Sequence, residues 1–210
     1  MYLPVHHRET DPAQLHALIR ARPLGLLVTH GPAGLVANPI PFLLDPDRGE
    51  NGTLVAHMAR ANPQWREADG AREALVVFQD ADSYITPAWY ETKRETGKVV
   101  PTWNYATVHA YGPLRAIDDP AWLRNQVTRL TEGHEASSQM PWAVSDAPDD
   151  FVAMQLRAIV GIEIPIARME GKWKVSQNRS EADRAGVVEG LRETGDDTSR
   201  RMADLVAGQR

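Results

Sequence analysis

The chain has 210 residues, 42% of them apolar and 24% charged, an ordinary globular composition with enough material for a sizeable core and for one domain. Lys and Arg number 23 against 28 Asp and Glu, a formal charge of −5, which speaks against a sequence-independent grip on nucleic acid, since that grip needs clustered cations to neutralise phosphates. Cysteine is absent, so disulfides, thiolate metal sites and a cysteine nucleophile are excluded, in keeping with a reducing cytoplasm.

The first residues, MYLPVHHRET, hold neither a basic n-region nor an apolar run, so no export signal is expected. No apolar stretch approaches the roughly 20 residues of a spanning helix. Asp11 to Arg22 predicts a short helix: Asp11 suits the N-cap, Pro12 the first turn, and Leu15, Leu18 and Ile19 share one face. Leu24 to Thr29 and Leu35 to Leu44 read as a hairpin about Gly31-Pro32-Ala33-Gly34. Pro39 and Pro41 make its second strand irregular or place it on an edge. A strand at Thr53 to His57, one or two helical turns from Asn62 to Asp69 capped by Asn62, and a β-like run at Glu73 to Gln79 follow. Asp82 to Tyr90 is aromatic and proline-broken, and Glu91 to Lys98 reads as a charged loop.

Thr102 to Ile117 predicts one long strand with Gly112-Pro113 as a bulge. Helices are expected from Pro120 to about Gly133 and from Asp149 to Arg157. Ala158 to Ser176 returns to strand character, with Gly171 as the turn, and Glu181 to Arg210 forms a helical, charge-balanced extension. Six strands with short turns and flanking helices predict a mainly β, α+β single domain, a closed or half-open barrel dressed with helices.

Dinucleotide, Walker A, HExxH and GxSxG signatures are missing, and no acid–base pair identifies catalytic residues. None of the seven histidines stands at i, i+4 from another, so no metal site is predicted, and hydrogen-bonded or surface roles suit most of them. His57 and His109 stand out because each lies in a predicted strand near polar and aromatic residues. From Arg168 to Arg179 the chain carries a local +3, and Ser176, Gln177, Asn178 and Arg179 add donors suited to a phosphate monoester. A polar loop capping the last helix would use the same residues. Around His57-Met58-Ala59-Arg60-Ala61-Asn62-Pro63 a strand ends beside an Arg and a helix begins, either an anion site or a simple cap. Tyr84 to Tyr90 and Pro101 to Tyr105 interleave aromatic, Asn and Thr side chains, a pattern suited to holding a planar ring or to packing a core or interface.

Taken in order, Ala37-Asn38-Pro39-Ile40-Pro41-Phe42, His57-x-Ala59-x-Ala61-Asn62-Pro63-x-Trp65, Tyr84-Ile85-Thr86-Pro87-x-Trp89-Tyr90, Val100-Pro101-Thr102-Trp103-Asn104-Tyr105 and Glu170-Gly171-Lys172-x-Lys174-x-Ser176-Gln177-Asn178-Arg179 resemble the PaiB family, described as FMN-binding negative transcriptional regulators. The resemblance runs from Met1 to about Leu191. It implies the six-stranded FMN-binding split barrel of pyridoxamine 5′-phosphate oxidases, and a homodimer with FMN in a groove between protomers. It places Arg60 and Asn62 at the phosphate with His57 nearby, Asn38 along the isoalloxazine ring, and Trp103 and Asn104 closing the site. Lys172, Lys174, Ser176, Gln177 and Arg179 match the basic segment that comes from the other subunit in related flavoproteins. Ile40 stands where His is common in the family, and His7 where Phe is common.

Three further readings remain open at this level. A flavin oxidoreductase would leave the chemistry to the cofactor. A DNA-binding repressor is disfavoured by the charge and by the lack of a visible helix-turn-helix, although a dimer can gather basic residues on one face. A haem-binding split barrel would use His57 or His109 as axial ligand.

Overall fold

A computed structural model of the chain describes residues 1–68, 70 and 72–208. The two-residue strand β1 (Arg8–Glu9) precedes helix α1 (Pro12–Ala21). Asp11 accepts the Ala13 N–H at 2.9 Å, the capping role its residue type predicts, and Leu15, Leu18 and Ile19 are buried. Strands β2 (Leu24–Gly31) and β3 (Gly34–Pro41) form the expected hairpin, paired from Leu24 opposite Pro41 to Gly31 opposite Gly34. Gly34 takes φ +106°, a value that a side chain resists. β3 is an edge strand, where Pro39 and Pro41 leave no ladder partner unserved.

β4 (Leu43–Asp45), β5 (Thr53–Ala59) and the single-turn helix α2 (Gln64–Glu67) come next. Asn62 accepts the Gln64 N–H at 3.0 Å. Asp69, the far end of the expected helical stretch, lies outside the described residues. β6 (Ala74–Ile85) continues well past Gln79, and the residues expected to form a charged loop fold as α3 (Glu91–Thr96). Two causes override the loop expectation. Glu91 lies in the first turn and Lys93 and Arg94 in the last, matching the helix dipole, and the Thr92 N–H and hydroxyl both bond the Asp183 carboxylate, at 2.9 and 2.8 Å.

The long strand expected over Thr102 to Ile117 is two strands, β7 (Thr102–Gly112) and β8 (Arg115–Ile117), because Gly112-Pro113 breaks the strand rather than bulging it. Helices α4 (Pro120–Glu135) and α5 (Asp149–Arg157) match expectation. Past β9 (Ile159–Pro165) the chain turns at Ile166-Ala167, and β10 (Arg168–Lys174) carries Gly171 inside the strand instead of at a turn. A Cβ at Gly171 would stand 2.3 Å from Leu15 and 2.9 Å from the Glu9 carbonyl, so close approach rather than turn geometry explains this glycine. The C-terminal extension is two helices, α6 (Glu181–Thr194) and α7 (Asp197–Ala207); Gln209 and Arg210 lie outside the described residues.

The chain groups into two compact units, one of Met1–Leu18, Gln79–Val108 and Glu170–Arg210, the other of Ile19–Phe78 and His109–Met169. In the first, β10 stands between β1 and β7, Arg8 opposite Lys172, with β6 beyond β7. Tyr90, Val175, Val187, Leu191, Met202 and Val206 are buried there. In the second, β6 borders β2, Leu26 opposite Val77, and a four-stranded antiparallel sheet runs β4-β5-β9-β8 with His57 opposite Gly161. Its buried residues include Leu27, Leu54, Ile162 and the edge-to-face pair Phe42 and Phe78, 5.9 Å between centroids. Leu123, Val144, Val152 and Leu156 form a further cluster between α4 and α5. The class is α+β, antiparallel sheets with helices around them. Among the described residues no helix is long and apolar enough to cross a membrane.

Candidate anion-binding site

In the first unit, β7 and β10 bring Trp103, Asn104, Lys172, Lys174, Ser176, Gln177 and Arg179 into one neighbourhood. The Lys174 ammonium donates to the Thr102 hydroxyl and to the Trp103 carbonyl, the latter at 2.6 Å. Lys172 donates to the Tyr2 carbonyl at 3.0 Å and lies 5.3 Å from the centre of the Tyr105 ring. Arg179 lies 4.7 Å over the ring of the buried Tyr90. Among the described residues none of these three cations has a carboxylate partner. All their acceptors are neutral, and an ammonium with three donors keeps one N–H to spare in Lys174.

The mutual repulsion registers in the titrating groups. Burial, reinforced by Lys172 and Arg179, pushes the Lys174 ammonium below the usual lysine range, with Tyr105 opposing. Burial also lowers the imidazole of His7, helped by His6, Lys172 and Lys174 and opposed by Gln177. Four basic groups held together without a counter-charge among the described residues are relieved by an anion offering several oxygens.

The turn after β10 also carries unusual backbone. Ser176 is the one described non-glycine residue in the left-handed region, φ 63°, and backbone held there is a frequent property of ligand sites. The fully buried Asn104 amide donates to its hydroxyl at 2.9 Å. Gln177 folds back on the turn, donating to the Trp173 carbonyl and accepting from the Val175 N–H at 2.9 Å, so its amide braces the loop. Trp103, half exposed, donates to Asp82 at 2.8 Å and meets Tyr84 edge to face at 6.0 Å.

Asn38, His57, Arg60 and Asn62 belong to the second unit, and their side chains are already engaged. Asn38 donates to Gln64 at 2.9 Å, and the buried Gln64 amide in turn reaches the Leu27 and Val36 carbonyls, both at 3.2 Å. This network fastens α2 to the hairpin. The His57 Nδ1 lies 2.7 Å from the side-chain amide oxygen of Gln126. Arg60 grips both oxygens of Asp118, at 2.9 and 2.6 Å, and donates to the carbonyls of Arg157 and Ile159 at 2.9 Å. Its fork is therefore committed within the protein, and α2, at four residues, is too short to offer the free N–H cluster expected beside it. Arg168 also sits in this unit, 3.4 Å over the Tyr111 ring and 3.3 Å from Glu73, so it separates from the basic group that the sequence places it in. His109 lies 3.3 Å from the Tyr111 hydroxyl. Among the described residues no three His, Asp or Glu side chains are placed to hold a metal ion.

Residues 1–168 match the model of the family described as "Putative FMN-binding domain". The chain belongs to this family, the PaiB family. The Bacillus subtilis protease synthase and sporulation protein PAI 2 is 28% identical, aligned over 98% of this chain and 96% of its own. An uncharacterized protein of Emericella nidulans is 39% identical over the same shares. Among solved structures, a FAD and haem binding protein of Mycobacterium smegmatis superposes with a TM-score of 0.57 at 17% identity, over 80% of this chain and 73% of that one, a likeness that shows a common split-barrel fold.

The PaiB family match ends at residue 168, so Lys172 to Arg179 lie beyond it, within the span that the full-length relatives still cover. Sequence reasoning passed over His7, Tyr90 and Tyr105 as members of the basic group, and Asp118 and Gln126 as the partners of Arg60 and His57. Gln126 carried a signal: it is a polar residue on the same helical face as Leu123, and both are buried. Asp118 carried none, since an exposed acid ahead of a helix is unremarkable.

Proposed function

We propose that this protein binds FMN, with Lys172, Lys174 and Arg179 holding the phosphate, and that it acts in the cytoplasm as a homodimer with flavin at the subunit interface. Family membership supports the cofactor. The observation that carries the assignment of residues is a group of buried or half-buried cations with neutral acceptors and, among the described residues, no carboxylate partner. An exposed indole beside that group suits a planar ring. A bound flavin supplies hydride and electron transfer; the chain's part is to bind, to orient and to shield. The sporulation and protease-synthesis name of the Bacillus subtilis relative supports a regulatory output, with the flavin as redox or ligand sensor. Among the described residues no acid–base pair in the site calls for turnover.

A second reading, haem, draws on the fixed orientation of His57 by Gln126, the kind of support an axial imidazole receives. Titration of dialysed protein separates the two. Saturable quenching of FMN fluorescence, lost in a Lys174→Ala, Arg179→Ala double variant and kept in His57→Ala, supports the first. A Soret band lost in His57→Ala, without FMN uptake, overturns it. Light scattering on the eluting protein reads the oligomeric state, and a monomer with bound FMN overturns the interface placement.

A further inference from the structure

The second unit contains a cleft of about 490 Å³ between α4 and α5, lined by Arg60, Asp118, Leu123, Arg124, Ala153 and Arg157 among others. That volume falls within the roughly 300–1,000 Å³ of small-molecule sites. Its floor is firm: Leu123 and Leu156 are buried members of the cluster that also holds Val144 and Val152, so the cleft is backed by packed core and does not depend on a mobile loop. Ala121 and Ala153 contribute methyl groups where larger side chains would close it.

The walls differ from the floor. Arg60 is locked by Asp118 and two carbonyls, which fixes one side. Arg124 pairs with Asp149, a residue 93% exposed, a contact that water weakens readily. Arg157 lends its backbone carbonyl to Arg60, while its guanidinium has no partner among the described residues. An apolar floor beneath the Arg157 guanidinium and the weakly paired Arg124 is complementary to a molecule with an apolar body and one negative head.

We propose that this cleft binds a small amphipathic carboxylate, its chain over Leu123, Ala153 and Leu156 and its head on Arg157 and Arg124. The site is separate from the FMN site proposed above and does not require it. Fluorescence of 8-anilinonaphthalene-1-sulfonate on the full chain, competed by octanoate, tests it. Saturable binding is expected, with octanoate competing at least about tenfold better than octanol because a charge-assisted contact is made. Ala153→Trp fills the cleft and abolishes the signal. Arg157→Glu, a surface change that leaves the core untouched, weakens octanoate about tenfold or more, and both variants keep FMN binding. Equal competition by octanol and octanoate, or probe binding unchanged in Ala153→Trp and Arg157→Glu, overturns the proposal. Loss of FMN binding in Ala153→Trp with unchanged thermal stability overturns it too, because the cleft would then be the flavin's.

Discussion

The Asn104 amide donates to the Ser176 hydroxyl across 2.9 Å in the buried interior of the first unit, and so ties β7 to the one left-handed non-glycine residue of the described chain. Lys174 and Arg179 lie on either side of that residue. Asn104→Leu leaves a buried hydroxyl without its donor and costs about 1–3 kcal/mol of stability. Ser176→Gly loses the same bond but relieves a left-handed backbone worth roughly 1–2 kcal/mol, so its urea midpoint stays closer to the parent's. Both variants weaken FMN binding, because both loosen the turn between the cations. An Asn104→Leu protein that is destabilised but binds FMN with parental affinity removes Ser176 from the site.

His7 supplies a pH test. Its imidazole is pushed down by burial, with the charges of His6, Lys172 and Lys174 adding to the effect and Gln177 opposing it. Below the ordinary value of about 6.5, the unfolded chain binds a proton at this position that the folded chain refuses until lower pH. Stability contributed by neutral His7 is therefore complete above about pH 6.5 and is lost as pH falls beneath it. His7→Gln removes this component, so the drop in urea midpoint between pH 7.5 and 5.5 is smaller in the variant than in the parent. An equal drop in both shows that burial and the neighbouring charges do not lower this imidazole.

Arg60 and Asp118 separate structural from ligand roles. Arg60→Ala removes the donors from the Arg157 and Ile159 carbonyls as well as the partner of Asp118, whereas Asp118→Asn weakens the pair alone. Arg60→Ala therefore lowers the melting temperature more than Asp118→Asn. FMN affinity stays within about twofold in both if the cations of the first unit hold the phosphate, since each removed contact is internal to the second unit. A loss of tenfold or more in Arg60→Ala alone returns Arg60 to the phosphate, as the family resemblance implied.

These results show which parts of the molecule local chemistry makes legible. The hairpin and α1 follow from residues a few positions apart: Gly31-Pro32-Ala33-Gly34 and the Asp11 cap. Gly171 misled because glycine is read first as a turn, whereas here the constraint comes from Leu15, distant in sequence. α3 was missed because its second anchor, Asp183, lies 91 positions away. The site followed the same division. Lys172, Lys174 and Arg179 were visible as a charge cluster, but Arg60 looked equally free, and only folding shows Asp118, 58 positions on, occupying it.

Asp80 and Arg201 anchor α7 to β6. The Asp80 carboxylate is buried and receives the Arg201 guanidinium at 2.8 and 3.1 Å, while the arginine itself stays 44% exposed. Breaking a fully buried pair by removing one partner costs about 3–5 kcal/mol; the exposure of Arg201 reduces this, and Asp80 keeps the Ala81 N–H at 2.8 Å. Arg201→Ala is therefore expected to cost about 2 kcal/mol in urea unfolding. Asp80→Asn added to Arg201→Ala removes the buried charge that Arg201 faced and recovers at least half of that loss. The cycle is informative because α7 carries Met202, Ala203 and Val206, all buried. If the double variant is no better than Arg201→Ala, the arginine acts through its aliphatic stem packing and not through its charge.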